Sequence, residues 1–183
     1  MEKQIIENIN FNEIELDEEY YKCVFVSCDF SNRVIHSTSF DNCEFKQCNF
    51  TLVKFSDTLS DVKFIECKMT GVDFTAINKY SSSFFFEKSL LNYANFVAIK
   101  IRKTIFIDCN LQEAYFDNTD ISLSVFDKCD LMGASFHETN LEKADFFTSY
   151  NFSINPSTNK IKKTIFSENE LRGLLAHLDI VIK

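Results

Sequence analysis

The sequence predicts an all-β repeat fold in which the chain turns a corner every five residues. Three observations predict it. A large apolar residue recurs at every fifth position, a small residue stands two positions before it, and the apolar spacing fits neither helix nor strand.

The five-residue period is clearest in the second half. Phe86, Leu91, Phe96, Ile101, Phe106, Leu111, Phe116, Ile121, Phe126, Leu131, Phe136, Leu141 and Phe146 follow one another without a slip, Phe alternating with an aliphatic residue. The first half begins with Phe11 and Leu16 and continues through Phe25, Phe30, Ile35, Phe40, Phe45, Phe50 and Phe55. Phe64, Met69 and Phe74 follow after a shift of one residue. A repeat of this kind is sought before secondary structure is assigned, because it decides the architecture. The Phe residues of the series, among them Phe25, Phe40, Phe55, Phe96, Phe116 and Phe136, are the predicted core centres.

The small position confirms the register. All seven cysteines, Cys23, Cys28, Cys43, Cys48, Cys67, Cys109 and Cys129, lie two residues before a centre. Ala94, Ala114, Thr104, Thr119, Ser89 and Val53 hold the same place elsewhere. This slot predicts small side chains pointing inward. An odd number of cysteines excludes complete intramolecular pairing, and free buried thiols are expected. Metal ligation is not expected, because the spacings follow the repeat and none of the three His lies beside them.

Composition agrees. There are 21 Phe but no Trp, and Gly (3) and Pro (1) are too scarce for a loop-rich sandwich. A length of 183 residues suits one domain. No apolar run approaches the ~18 residues that span a bilayer, and the polar start MEKQIIENIN does not read as a secretory signal, so a cytoplasmic protein is expected.

The motif A/C-[D/N]-[L/F]-x-x resembles the pentapeptide-repeat family. CysAspPhe (28–30), CysAsnPhe (48–50), CysAsnLeu (109–111), CysAspLeu (129–131) and AlaAspPhe (144–146) carry the resemblance, which spans about residues 9–166. It implies a right-handed quadrilateral β-helix with four pentapeptides per coil and about eight coils. The β-helix is expected over 1–166, with slips near 17–24, 56–63, 75–85 and 147–160. Within the third slip, Lys79, Tyr80, Ser81 and Ser82 are the candidate loop.

Residues 167–183 read differently. Ser167 and Glu170 form an S-x-x-E capping box, and Leu171, Leu174, Leu175 and Leu178 share one face of a short helix. AspIleValIle (179–182) reads as a terminal strand. This segment is expected to cap the β-helix. With Ile180 and Ile182 the leucines are also candidates for a homodimer interface, since isologous dimers are the commonest oligomers. Tail-to-tail pairing is what resemblance to the gyrase-interacting members implies.

No enzyme is expected. His36, His137 and His177 are scattered, no nucleophile has a base beside it, and there is no Gly-rich phosphate loop. No cofactor or membrane is implied, and the net charge of −8 argues against direct binding to nucleic acid. The carboxylates Asp108, Glu113, Asp117, Asp120, Asp127, Asp130, Glu138 and Glu142 are the candidate partner-binding surface. A rod with regularly spaced carboxylates can imitate the phosphates of DNA in a basic groove. Resemblance to the Qnr-like and mycobacterial members implies such mimicry toward DNA gyrase or topoisomerase IV, with protection from quinolones. The alternative is a protein-interaction scaffold with an unrelated partner. Folded onto four sides, the eight carboxylates distribute in pairs rather than on one face.

Overall fold

A chain that turns every five residues needs a backbone that bends at a fixed place. In the computed structural model, which describes residues 4–56, 59–77, 83–178 and 180–181, that place lies two residues after the centres. Left-handed φ values recur there, from 47° at Lys88 to 72° at Gly133. This conformation costs a residue with a Cβ roughly 1–2 kcal/mol. Inter-coil hydrogen bonds hold it: the corner N–H of Lys103 donates to Ser122 O (3.1 Å) and that of Leu123 to Glu142 O (3.0 Å).

The result is a β-solenoid of about eight coils with one short helix. Four faces follow from the register. The first is a nine-stranded parallel sheet running from Ile5–Glu7 through Phe84–Glu87 and Val125–Asp127 to Ile165–Phe166. The second is stacked by isolated bridges such as Asn110↔Asp130, and the third by bridges such as Tyr115↔Ser135. The fourth begins as a three-stranded sheet at Glu19–Tyr21 and continues through the bridges Lys100↔Asp120, Asp120↔Asn140 and Asn140↔Lys160.

The alternation of Phe with Leu or Ile now has a physical meaning. A period of ten on a coil of twenty puts the rings on two opposite faces. Phe86, Phe106, Phe126 and Phe146 stack along the first face at 4.4–5.0 Å, and Phe96, Phe116 and Phe136 along the third at 4.9–5.1 Å. The two columns meet edge to face across the core, as Phe106 and Phe116 do at 6.2 Å, the geometry that aromatic quadrupoles favour. The centres Phe25, Phe30, Phe40, Phe45, Phe50, Phe55, Phe96, Phe106, Phe116, Phe126, Phe136 and Phe146 are all buried.

The small slot has its own chemistry. Its hydroxyls and thiols donate to a carbonyl of the preceding coil: Thr119 to Phe96 O (2.6 Å), Thr139 to Phe116 O (2.7 Å), Cys43 to Tyr20 O (3.2 Å). Where the slot holds Ser, Thr or Cys, its polar atom is thus paired, and elsewhere an apolar residue such as Ala or Val fills the gap without one, so among the described residues no buried side-chain polar atom is left unpaired.

The two shortened intervals share one location. The interval from Leu16 to Phe25 contains a further buried centre, Tyr20, and that from Phe55 to Phe64 contains Leu59. Each stands four residues after its predecessor, so both shortened steps join the third face to the fourth. The third interruption, between the buried Ile77 and Phe84, spans residues that lie mostly outside the described ones. Lys79, Tyr80, Ser81 and Ser82 lie outside the described residues. Beside them Phe84 occupies a small slot, buried against Phe74 at 5.6 Å. Near the end, Asn151 stands five residues after Phe146 but is exposed, and Phe152 and Ile154 take over the core.

Both ends are closed by specific contacts. Arg33 reaches from the second coil to the carbonyls of Phe11 and Ile14 in the first, fixing a segment that otherwise is exposed. At the other end the helix is 3-10, Glu168–Leu174, with Ser167 accepting from Asn169 N at 3.3 Å. The leucines expected on one face therefore do not line up as on an α-helix. Leu174 packs on the core, whereas Leu171, Leu175 and Leu178 are exposed. Ile154 N donates to Gly173 O (3.0 Å), and a Cβ at Gly173 would collide with the Phe152 carbonyl. The expected terminal strand is absent at Ile180 and Val181; Asp179 and Ile182 lie outside the described residues.

Candidate interaction surface

The position just before each centre is where the fold uses Asp and Asn. Its side-chain oxygen accepts from the backbone N–H two residues on, as in Asp29–Ser31 (2.8 Å), Asp120–Ser122 (3.2 Å), Asp130–Met132 (3.2 Å) and Asn140–Glu142 (3.2 Å). This Asx arrangement closes the turn that follows.

Two of the candidate carboxylates are therefore occupied by the fold. Asp120 also accepts from Arg102 Nε (2.7 Å) and Asn140 Nδ2 (3.1 Å), and Asp130 from Gln112 Nε2 (2.7 Å) and Asn151 Nδ2 (2.9 Å). Burial pushes both carboxyls up, but hydrogen bonds from Ser122 and Arg102 to Asp120, and from Asn151 and Gln112 to Asp130, outweigh it. Both are held below the usual carboxylate range. Asp117 accepts from Ser135 Oγ (2.5 Å) and His137 N (2.8 Å), and Asp127 from Thr148 Oγ1 (2.6 Å). Glu142 is half-buried. Asp108, Glu113 and Glu138 are exposed at left-handed corners.

The register places these carboxylates around the rod. Asp108 and Asp127 belong to the first face, Glu113 and Asp130 to the second, Asp117 and Glu138 to the third, Asp120 and Glu142 to the fourth. The structure brings no more than two of the eight together on any face. Cations behave differently. Over residues 84–166 the first three faces carry eight carboxylates and only Lys88 and Lys128, while seven of the nine cations stand on the fourth.

Sequence reasoning missed one further surface. The outer side of the nine-stranded sheet exposes Phe147 (60%) and Ile165 (49%), and Ile105, Ile107, Val125 and Phe147 line one shallow depression with Asp127 and Asp145. The signal was present as β-branched residues flanking the first-face centres, but without the register nothing distinguished that face from the other three.

Of the histidines, His36 Nδ1 lies 3.4 Å from Ser37 Oγ and His137 Nε2 3.9 Å from Glu138. His137 and His177 line one open hollow at the C-terminal end of the third face. Among the described residues no group of three His, Cys, Asp or Glu is placed to hold a metal ion, and no helix is long and apolar enough to cross a membrane.

Coils of four pentapeptides, a Cys/Ala/Ser/Thr slot, Asx-closed turns and Phe ladders define a class of protein before any comparison is made. The family model for Pentapeptide repeats matches residues 109–146, with eight copies. Residues 109–146 are thus pentapeptide repeats, and the chain as a whole has the fold of pentapeptide-repeat proteins. Among solved structures it is similar to a trypsin-treated form of QnrB1, a plasmid-mediated fluoroquinolone resistance protein. That likeness has 17% identity and a TM-score of 0.52, and covers 99% of this chain and 98% of that one. HetL, a pentapeptide-repeat protein involved in heterocyst differentiation regulation from the cyanobacterium Nostoc sp. strain PCC 7120, matches with 13% identity and a TM-score of 0.30, covering 91% of this chain and 88% of its own. No curated protein matches the chain.

Proposed function

We propose that this protein is a non-enzymatic binding protein, an acidic rod that acts as a DNA mimic toward DNA gyrase or topoisomerase IV in the manner of a quinolone-protection protein. The observation that carries the reading is the charge on three of four faces: over residues 84–166 they hold eight carboxylates against two lysines. A duplex is negative around its whole circumference, so a mimic does not need its carboxylates gathered on one side. The coil-to-coil repeat sets them on a rigid lattice with a rise of about 4.8 Å. Likeness of the fold to QnrB1 over nearly the whole of both chains supports the choice of enzyme.

The working form in this reading is a homodimer. Leu171, Leu175, Leu178 and Ile180 are 37–54% exposed at the C-terminal end, an apolar cluster that a two-fold axis would cover. In a gyrase supercoiling assay this reading predicts inhibition at high dose and, at low dose, restored activity in the presence of ciprofloxacin. No effect on gyrase or topoisomerase IV would favour the second reading, an interaction scaffold with another protein. That reading draws on the apolar strip of Ile105, Ile107, Val125 and Phe147 on the first face.

A further inference from the structure

We propose that the C-terminal half of the fourth face is a binding surface for the phosphate backbone of duplex nucleic acid, contacted without sequence readout. The net charge of −8 points the other way, but it averages one basic face with three acidic ones. The bridges Lys100↔Asp120, Asp120↔Asn140 and Asn140↔Lys160 stack residues 100–103, 120–123, 140–143 and 160–163 directly upon one another. That register puts Lys100 and Lys160 in one column and Arg102 and Lys162 in the next. Lys103, Lys143 and Lys163 form a third at the corner, each with a left-handed φ of 59–61°. All seven are exposed. The face has two carboxylates, and Asp120 is already paired with Arg102 at 2.7 Å. Six cations are thus left without a carboxylate partner among the described residues, over a strip roughly 14 Å long at the inter-coil rise.

Two further observations select the ligand. Leu123 is the one large apolar side chain exposed among these columns, so the strip lacks the apolar residues that insert into a lipid interface. The same face turns acidic toward the N-terminus, with Asp17, Glu18, Glu19, Asp41 and Asp61 against Lys22. A polyanion is therefore confined to the C-terminal four coils, and the contact is short. This surface does not depend on the topoisomerase reading, which uses the other three faces.

The test is binding of a short labelled duplex by fluorescence anisotropy. With about six phosphate contacts, affinity falls by about 10³ between roughly 50 and 200 mM salt. The combined variant Lys160→Glu, Lys162→Glu, Lys163→Glu abolishes binding. The control Lys63→Glu, Lys88→Glu, Lys128→Glu makes the same change in net charge on the first face and retains it, since distant surface charges are screened beyond about 10 Å at 0.1 M salt. All six lysines are exposed, and unchanged melting temperatures establish that both variants fold. Three results overturn the proposal: no duplex binding at about 50 mM salt, equal losses in the two variants, or binding to anionic vesicles with none to duplex.

Discussion

Arg102 Nε donates to Asp120 Oδ2 at 2.7 Å from the coil before, while Asp120 Oδ1 accepts from Ser122 N at 3.2 Å. One carboxylate thus closes its own turn and ties two coils together. Replacing Asp120 with Ala should cost about 1–2 kcal/mol, the lower part of the range for charged hydrogen bonds because Arg102 is half exposed. Glu113→Gln, at an exposed corner, should leave the melting temperature unchanged. Thermal denaturation of the two variants checks both.

The same carboxylates set an acid limb of stability. Asp29, Asp120 and Asp130 titrate lower in the folded chain than their ordinary value, because hydrogen bonds to the ionised form outweigh the burial that raises them. Their contribution is fully present above the unfolded carboxylate range near pH ~4 and is lost as pH falls through the lower folded values. Urea midpoints measured down that range should fall steadily for the wild type. They should fall less for a variant with Asn at all three positions, whose amides do not titrate.

The core is a ladder, so its failures should be local and severe at the centre. Phe106 stacks on Phe86 at 5.0 Å and on Phe126 at 4.7 Å. Phe106→Ala should cost ~3–5 kcal/mol. Phe106→Leu should cost less, because Leu fits the same inward position at Leu111 and Leu131. Chemical denaturation distinguishes the two, and hydrogen exchange should show the loss of protection spreading to neighbouring coils first.

The thiols should be silent in the native state. All seven cysteines are buried, and burial pushes Cys43 up to about 11 and raises Cys23 and Cys28 in the same direction. A thiol-specific reagent at pH ~8 should therefore label none of them until the chain is unfolded, and then label all seven. Fast labelling of the native protein would contradict the inward placement of the small slot.

At the C-terminal end, Leu175→Glu with Leu178→Glu should give a monomer in analytical ultracentrifugation without lowering the melting temperature, since both side chains are exposed. Gly173→Ala should instead lower stability, because its Cβ meets the Phe152 carbonyl that the helix packs against.

The repeating core was legible because one inward position carries Phe, Leu or Ile on every face, and a period of five survives in a linear reading. Tyr20 and Leu59 were not legible as centres. Each sits one residue out of phase, and only the stacking of Tyr20 on Phe40 at 5.3 Å and the pairing of Phe40 with Leu59 reveal their faces. The carboxylates could be placed from sequence, but the double use of Asp120 and Asp130 as turn closures could not, because it depends on backbone N–H groups. The gathering of Lys100, Lys143 and Lys160 on one face was available in principle from the twenty-residue coil. The leucine spacing of the C-terminal segment suggests an amphipathic α-helix, but the 3-10 helix that forms there depends on Gly173 lying close against Phe152.

The most direct test of the account is competition between this protein and duplex DNA for gyrase, measured as displacement of a labelled duplex from the enzyme. The account predicts displacement with increasing protein, weakened at least tenfold by Asp108→Lys, Glu113→Lys and Glu138→Lys together. A gyrase–DNA complex unchanged at saturating protein would contradict it.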